Sequence, residues 1–275
     1  MTESIASEAL NRVGAHDGVR SLASGMSSDA WVGEIDGERW VVRVPVGDGR
    51  RPTPDYRAES VLLGTAAERG VPVAASTVVE VDGIACSVAR ERPGRPVGPD
   101  DWNESLVTDL ASALAGLHGL PPSLAVEQDI VARFHLATIW PFDGSDLGSH
   151  SVAFRWPELV SPLCERRDAI RSAGAGPATV VHSDLHAEHL LVADGRLTGL
   201  LDLGDTFPGP AEWDIACLRY YHRGIADQVL AVGDRWDPAR ARLLVIPFVL
   251  YKLAKQPERP VVIDRVESTL RTALR

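Results

Sequence analysis

The chain of 275 residues is poor in cysteine and has no long apolar run. Its three cysteines, Cys86, Cys164 and Cys217, are odd in number and far apart, which excludes a disulfide framework and a C-x-x-C metal or redox site. Buried apolar positions are predicted for them. The longest apolar stretch, residues 243–251, contains Pro247 and is too short to span a bilayer. A basic start followed by an apolar segment is also missing, which predicts a cytoplasmic protein.

Basic residues are fewer than acidic ones. Lys and Arg total 28 and Asp and Glu total 38, so the formal net charge is −10. Nonspecific binding to nucleic acid needs a basic face, so no nucleic-acid partner is expected. Nothing indicates a membrane or a protein partner either. Internal repeats and low-complexity tracts are missing as well, so the composition predicts a globular protein of one large domain or two lobes.

The first part of the chain is predicted to be a sheet with one helix. Residues 30–46 have the pattern of two strands joined at Asp36-Gly37, a dipeptide that suits a tight hairpin. Helical spacing over residues 57–69 predicts one helix, which ends at Gly70. Three further segments are expected to be extended: 71–73, 76–81 and 83–89.

The second part is predicted to be mostly helical. A cluster of Pro and Gly at residues 93–99 is the expected linker. Leucines recur along one helical face of residues 104–118, a pattern that is buried against other helices. Residues 213–275 also have mainly helical patterns. The predicted organisation is therefore two lobes, residues 1–92 and residues 93–275.

The stretch HSDLHAEHLLV, residues 182–192, precedes an Asp-Gly turn and a second apolar segment, RLTGLLDLGD. This pattern predicts a hairpin with Asp184 before its first strand and Asp202 at the end of its second. One carboxylate could accept a proton from a hydroxyl while the other holds a divalent cation, as phosphoryl transfer requires. The competing interpretation makes both aspartates turn and cap residues.

These linked motifs resemble the aminoglycoside phosphotransferase family, the small-molecule relatives of protein kinases, along nearly the whole chain. That family carries H-x-D-x-x-x-x-N, a short hairpin and then a magnesium-binding aspartate. His182 and Asp184 match the first two positions, and Asp202 matches the metal-binding aspartate. In the tail G-D-x-x-x-G-P-A-x-x-D, Asp214 stands at the buried aspartate that braces the catalytic loop.

The resemblance implies an α+β, two-lobed, protein-kinase-like fold, with an N-terminal antiparallel sheet plus helix and a mostly helical C-terminal lobe. Asp184 is the implied catalytic residue, which accepts or orients the acceptor hydroxyl. His182 and Asp214 are implied to be structural supports. A buried carboxylate that accepts backbone hydrogen bonds makes its surroundings rigid.

The nucleotide side of the site is implied by further matches. Arg43 in VVRVP stands where the family has a strand lysine or arginine that contacts the phosphates, and Glu59 in RAESVLL matches the helix glutamate that pairs with it. An exposed surface pair is the alternative. The family's phosphate loop and interlobe hinge correspond to four more nucleotide-binding candidates: Ser27, Ser28, Val88 and Glu91. The nucleotide is ATP or GTP, since the sequence does not identify the purine.

His189 stands where asparagine is usual. Imidazole is a softer ligand than an amide oxygen, and magnesium takes it reluctantly. Macrolide phosphotransferases of the same family also have histidine here, so His189 and Asp202 are implied to hold Mg²⁺, or Mn²⁺, directly or through water. A zinc site formed with His182 and His186 is the alternative, although the apolar strand after His189 argues against a shared helical face.

The resemblance implies an enzyme, a small-molecule kinase. It would move the γ-phosphate of ATP or GTP to a hydroxyl of a small molecule such as a macrolide or aminoglycoside antibiotic. The alternatives are a kinase for a sugar, choline-like amine or amino-acid alcohol, and a non-catalytic nucleotide-binding regulator. Aromatic residues between positions 123 and 174, where acidic residues and arginines offset each other, slightly favour a bulky, partly apolar acceptor, or else belong to the core: Phe134, Trp140, Phe142, Phe154 and Trp156.

Overall fold

The computed structural model describes residues 2–15, 17–24, 27–46, 53–126 and 151–275. The chain forms two compact units. The first unit comprises Met1–Asp101, Leu124–Val126 and Ala187–Gly204, and the second comprises Trp102–Ser123, Glu127–His186 and Asp205–Arg275. The predicted lobe boundary after Arg92 stays a prediction, because each compact unit is made of several separate chain segments and does not mark one boundary.

The first unit is built on a five-stranded antiparallel sheet with the strand order β1-β2-β3-β5-β4. Two of its hairpins turn at Asp36-Gly37 and Asp82-Gly83, where all four residues have the positive φ that tight hairpins require. The predicted hairpin at Asp36-Gly37 is therefore confirmed. The strands are β1 (Asp17–Ser24), β2 (Ser28–Ile35), β3 (Glu38–Pro45), β4 (Ser76–Val81) and β5 (Ile84–Arg90).

Two helices, α1 (Thr2–Arg12) and α2 (Tyr56–Glu68), cover this sheet. Side chains alternate between the two faces of a strand. Val42 and Val44 on β3 share a buried core with α1, while Arg43 between them pairs with Glu59 of α2. The two helices therefore lie on opposite faces. The predicted helix over residues 57–69 is confirmed, and α1 was not predicted.

A second hairpin in this unit consists of β8 (Leu190–Ala193) and β9 (Arg196–Leu200), which turn at Asp194-Gly195. The short strand β6 (Arg95–Pro96) pairs with β8. Both turn residues have positive φ, as an Asp-Gly hairpin turn requires. The hairpin predicted after the HSDLHAEHLLV stretch is therefore confirmed.

The Pro- and Gly-rich segment at residues 93–99 packs on this hairpin. The Thr198 hydroxyl donates a hydrogen bond of 2.6 Å to the Pro93 carbonyl. Gly94 has φ +113°, and a Cβ there would lie 2.7 Å from Thr198 Oγ1. Only glycine fits this backbone position without displacing its neighbour.

The second unit is mainly helical. The predicted helices over residues 104–118 and within 213–275 are confirmed, and the leucine face of the first is fully buried. Strands β7 (Thr179–Val181) and β10 (Phe207–Gly209) pair antiparallel. The helices are α3 (Glu104–His118), α4 (Ser151–Arg155), α5 (Val160–Glu165), α6 (Arg167–Gly174), α7 (Glu212–Tyr221), α8 (Arg223–Val232), α9 (Pro238–Lys255) and α10 (Pro260–Ala273).

Helix α9 is central to this unit, since it packs against α6, α7 and α10. Its apolar middle, including Phe248, is fully buried. Among the helices that the structure describes, none combines the length and the apolar character that crossing a membrane demands.

The prediction for the cysteines is right for Cys86 and Cys217, which are buried, and wrong for Cys164, which is exposed. Cys164 lies on the short helix α5, where its neighbour Leu163 takes the buried position. Burial raises the pKa of Cys86 to about 11, so this thiol is inert at neutral pH.

Candidate active site

Arg43 and Glu59 form a two-pronged ion pair in the first unit. Arg43 Nη1 lies 2.7 Å from Glu59 Oε1, and Arg43 Nη2 lies 3.0 Å from Glu59 Oε2. The Glu59 side chain is only 2% exposed and that of Arg43 is 25% exposed. An exposed surface pair would contribute little and would lack this fixed geometry, so the surface interpretation is wrong.

The surroundings keep Arg43 charged. Burial alone would lower the pKa of Arg43, but the carboxylate of Glu59 outweighs it, so the pKa is raised. The guanidinium also lies 5.0 Å from the centre of the Tyr56 ring, a cation–π distance. A permanently charged, fixed guanidinium is a group that can hold phosphate oxygens.

Asp202 converges with this pair around Gly204. A side-chain carbon built on Gly204 would lie 3.7 Å from Asp202 Oδ1 and 3.8 Å from both Arg43 Nη2 and Glu59 Oε2. One point thus lies within 3.8 Å of a cation and two carboxylates. The structure brings together three of the predicted residues, although they are far apart in the sequence.

His189 meets Asp202 in the same unit. His189 ends a single 3₁₀ turn, Ala187–His189, that leads directly into β8, and its carbonyl accepts a hydrogen bond of 2.8 Å from the Leu201 N–H. This bond places the two chain segments side by side. As a result, His189 Nε2 lies 3.7 Å from Asp202 Oδ2, which is too long for a direct hydrogen bond.

This spacing suits two ligands of one cation. Ligand atoms about 2.1 Å from one ion lie no more than about 4.2 Å apart. The 3.7 Å separation falls within that limit, and the Asp202 side chain is half exposed. A nitrogen and a carboxylate oxygen form a donor set that manganese accepts more readily than magnesium does.

The loop that carries Asp184 and the loop that carries Asp202 each contain a non-glycine residue in the left-handed region of backbone conformation. Five non-glycine residues among those described have positive φ, and three of them, Asp36, Asp82 and Asp194, begin Asp-Gly turns. The other two are Ser183, with φ 71°, and Asp202, with φ 59°. Such strain costs about 1–3 kcal/mol per residue and tends to persist at functional sites, where the surrounding contacts enforce it.

In the second unit, Asp214 anchors the loop that carries Asp184. Asp214 is fully buried in the first turn of α7 and accepts hydrogen bonds of 2.9 Å from the backbone N–H groups of His182 and Ser183. Burial acts to raise the pKa of Asp214, but the hydrogen bond from His118 and the backbone hydrogen bond from His182 outweigh it, so the pKa is lowered. The supporting position predicted for Asp214 agrees with these contacts.

Two residues that sequence reasoning missed, His118 and Trp236, extend this anchor. His118 Nε2 lies 2.9 Å from Asp214 Oδ2, and Trp236 Nε1–H donates to His118 Nδ1 at 3.1 Å. Since Nδ1 accepts a hydrogen bond from the indole N–H, Nε2 carries the imidazole hydrogen and donates a hydrogen bond to Asp214. No local signal in the sequence connects these three residues.

Asp184 has a cationic partner that was also missed. Lys252 Nζ on α9 lies 3.0 Å from Asp184 Oδ1, while His186 Nε2 lies 3.7 Å from the other oxygen, Oδ2. Lys252 also lies 5.4 Å from the Tyr221 ring centre and 5.3 Å from that of Phe248. A signal did exist, because the chain has only two lysines and this one directly follows the apolar run of residues 243–251.

The remaining nucleotide candidates lie in or next to strands of the five-stranded sheet. Ser28 begins β2, and the preceding Ser27 carbonyl accepts a hydrogen bond from the Val46 N–H. Val88 lies inside β5, opposite Val42 of β3, with its side chain buried.

Strand β5 lies between β3 and β4, and Val88 is paired with both of them, while its contact with the purine stays a prediction. The Glu91 N–H is likewise taken, by the Arg39 carbonyl at 2.8 Å, and its carboxylate lies 3.0 Å from Arg39 Nη1.

The zinc alternative depended on a helix that would align His182, His186 and His189. Residues 182–189, all of which the structure describes, form an irregular segment followed by a single 3₁₀ turn. The helical face that this alternative needs does not form.

Three of the five aromatic residues that favour a partly apolar acceptor lie outside the described residues: Phe134, Trp140 and Phe142. Of the two aromatic residues that are described, Trp156 is buried in the core and Phe154 is 86% exposed on α4. The preference for a partly apolar acceptor therefore stays a prediction.

The chain has an N-terminal sheet with a buried Arg–Glu pair, an aspartate after a hairpin, and an aspartate loop anchored by a buried carboxylate. These features are typical of one class of protein, the kinase-like phosphotransferases. The chain belongs to the phosphotransferase enzyme family, whose model matches residues 18–244. It is a small-molecule kinase. No curated protein matches it in sequence.

Solved structures share the fold. A thermostable mutant of aminoglycoside phosphotransferase APH(4)-Ia, in a ternary complex with AMP-PNP and hygromycin B, is 15% identical with a TM-score of 0.68, covering 98% of each chain. Macrolide 2'-phosphotransferase MphH from Brachybacterium faecium, an apoenzyme, is 21% identical with a TM-score of 0.62, covering 96% of this chain and 97% of that one. At these identities the similarity establishes the fold alone.

Proposed function

We propose that this protein moves the γ-phosphate of ATP or GTP to a hydroxyl of a small-molecule antibiotic of the macrolide or aminoglycoside kind. The observation that carries the proposal is the convergence of the buried Arg43–Glu59 pair and Asp202 around Gly204. Related structures in complex with nucleotides and antibiotics support it: one holds AMP-PNP with hygromycin B, and another, of APH(2'')-IIa, holds streptomycin with ATP.

In this proposal the first unit holds the nucleotide. Arg43 binds phosphate oxygens, and Glu59 fixes the direction of its guanidinium. His189 and Asp202 are the residues that would hold Mg²⁺ or Mn²⁺, given their 3.7 Å separation. Such an ion, when bound, supplies positive charge that neutralises the transferred phosphate.

Asp184 receives the acceptor hydroxyl. The hydroxyl oxygen bonds to the γ-phosphorus as the bond to the bridging β,γ-oxygen breaks, and the hydroxyl proton passes to Asp184. Lys252 Nζ, 3.0 Å from Asp184 Oδ1, fixes the orientation of the carboxylate. Fixed charges of this kind lower the barrier without reorganising during the reaction.

The test is a turnover screen with ATP and GTP in parallel, each with Mg²⁺ and with Mn²⁺. Macrolides, aminoglycosides and hydroxylated metabolites are offered, and the phosphorylated product is detected by mass spectrometry. Asp184→Asn and Asp202→Ala serve as inactive controls. Product from metabolites alone would replace the antibiotic acceptor by a metabolite, and no product from any acceptor with either nucleotide would overturn the proposal.

A further inference from the structure

A cavity of about 700 Å³ lies in the second unit, lined by residues of α7 and α10 together with the first halves of α8 and α9. Its lining contains five arginines and, among the lining residues that the structure describes, a single acid, Asp264. We refer to it as the arginine cavity. The arginines are Arg219, Arg223, Arg242, Arg265 and Arg275.

The charge of the arginine cavity is opposite to that of the whole chain, in which acids outnumber bases by 38 to 28. Arg219 is neutralised by an ion pair with Asp227. The guanidinium groups of Arg223, Arg242 and Arg265, in contrast, form no ion pair or hydrogen bond with any residue that the structure describes. Three positive charges from three different helices therefore face the same space, with Asp264 as the one acid among the described lining residues.

Arg265 is held in place without being neutralised. Its guanidinium carbon lies 5.3 Å from the Tyr220 ring centre and 5.6 Å from that of Tyr221. Stacking on aromatic rings fixes a guanidinium but leaves its N–H donors available for a ligand. The charge of Arg265 also acts on His222. Burial lowers the pKa of His222 most, and the positive charge of Arg265 lowers it further.

This arrangement selects for a class of ligand. Guanidinium groups bind carboxylate and phosphate in a two-pronged manner, and the cavity volume is within the range of small-molecule sites. Ser268 and Thr272 add hydroxyls, and Tyr220, Tyr221 and Val245 add apolar walls. We infer that the arginine cavity binds a small organic anion that carries two or more carboxylate or phosphate groups.

The arginine cavity adjoins the group around Asp184. The Tyr221 ring lines the cavity and also lies 5.4 Å from Lys252 Nζ, the partner of Asp184. The anion therefore has two possible sources: the acidic group of the phosphoryl acceptor itself, or a separate effector. The first of these rests on the proposed function, and binding of the anion does not.

The test measures binding of citrate, and separately of inorganic phosphate, to the full chain by isothermal titration calorimetry without divalent metal. The variants are Arg242→Gln and Arg265→Gln. The matched control is Arg69→Gln, which removes an exposed arginine of the first unit with no ion pair to any described residue. Arg43→Gln is included because the proposed nucleotide site also attracts anions. Thermal unfolding confirms that each variant is folded.

We expect saturable citrate binding that each cavity variant weakens about tenfold or more, as loss of a charge-assisted hydrogen bond does. Arg69→Gln and Arg43→Gln should bind citrate as the native chain does. Unchanged binding in both cavity variants would overturn the inference, and so would loss of binding in Arg43→Gln alone. Failure of the native chain to bind either probe at millimolar concentration would also overturn it.

Turnover assays distinguish the two sources once an acceptor is known. Citrate that competes with the acceptor and leaves the nucleotide KM unchanged assigns the arginine cavity to an acidic acceptor. Citrate that changes kcat without competing assigns it to an effector. If no acceptor is phosphorylated, the proposed function fails, while the binding measurement still decides the arginine cavity.

Discussion

Lys252 Nζ lies 3.0 Å from Asp184 Oδ1, although the two residues are 68 positions apart in the chain. The lysine is 12% exposed and the aspartate 28%. Burial would lower the pKa of Lys252, but the charge of Asp184 and the Tyr221 side chain outweigh it and raise the pKa. Burial also raises the pKa of Tyr221 to about 12, so the ring beside this pair stays neutral.

Replacing Lys252 should slow the chemical step. In Lys252→Met, Asp184 loses the cation that fixes it, and we expect kcat to fall about tenfold to a hundredfold, the value of a charge-assisted hydrogen bond. The nucleotide KM should not change. Lys252→Arg keeps the charge and should restore part of kcat. Steady-state kinetics on both variants test this role, which a native kcat in Lys252→Met would exclude.

Asp184→Asn should reduce kcat by about two to four orders of magnitude, because the amide cannot accept the hydroxyl proton. Nucleotide affinity should survive, since Arg43 and Glu59 belong to the other unit. Calorimetric titration with a nucleotide and single-turnover rates separate the two effects. Near-native turnover would remove Asp184 from the mechanism.

His189 should act as a working ligand. His189→Asn is expected to retain activity with Mg²⁺, whereas His189→Ala should lose most of it. Because nitrogen ligands suit manganese better than magnesium, the native enzyme should use Mn²⁺ comparatively well. Activity is measured against the concentration of each metal, with the exposed neighbour replaced in Glu188→Ala as a control. Equal metal dependence of native and His189→Ala enzymes would make residue 189 a bystander.

Glu59→Gln should raise the nucleotide KM about tenfold or more, because Arg43 loses the carboxylate that orients it. Glu80→Gln is the matched control, since Glu80 forms an exposed ion pair with Arg57 in the same unit. Exposed pairs contribute about 0–1 kcal/mol, so no kinetic change is expected there. Identical KM values in the two variants would contradict the assignment of Glu59.

Asp214→Asn should destabilise the folded chain by about 1–3 kcal/mol at pH 7, because the amide leaves one of the buried donors around it without an acceptor. The folded pKa of Asp214 is lowered, so its stabilisation is complete above the ordinary aspartate pKa of about 3.9 and is lost as the pH falls below it. Denaturant unfolding of both proteins from pH 7 to 3 should show the difference shrinking in acid.

The exposed Glu158, paired with Arg271, supplies the control for this experiment. Glu158→Gln should leave the stability at pH 7 close to that of the native chain, because an exposed ion pair is screened by solvent. A difference between native and Asp214→Asn chains that stays constant down to pH 3 would show that the charge of Asp214 does not stabilise the fold.

Much of the architecture could be predicted because its signals are local. Asp36-Gly37 and Asp194-Gly195 each specify a hairpin through the positive φ that their turns require. The leucines of α3 repeat at helical spacing and are buried as that spacing predicts. Asp184 and Asp202 were found because turn chemistry and motif spacing lie within a few residues of them.

Only the tertiary structure decided which of these residues meet. Arg43 and Glu59 could have been a surface pair, and their burial depends on α2 packing on one face of the sheet. Lys252, His118 and Trp236 were missed because their partners lie 68 to 118 positions away. Contacts at such separations arise from packing across the whole core, and local propensity or periodicity does not encode them.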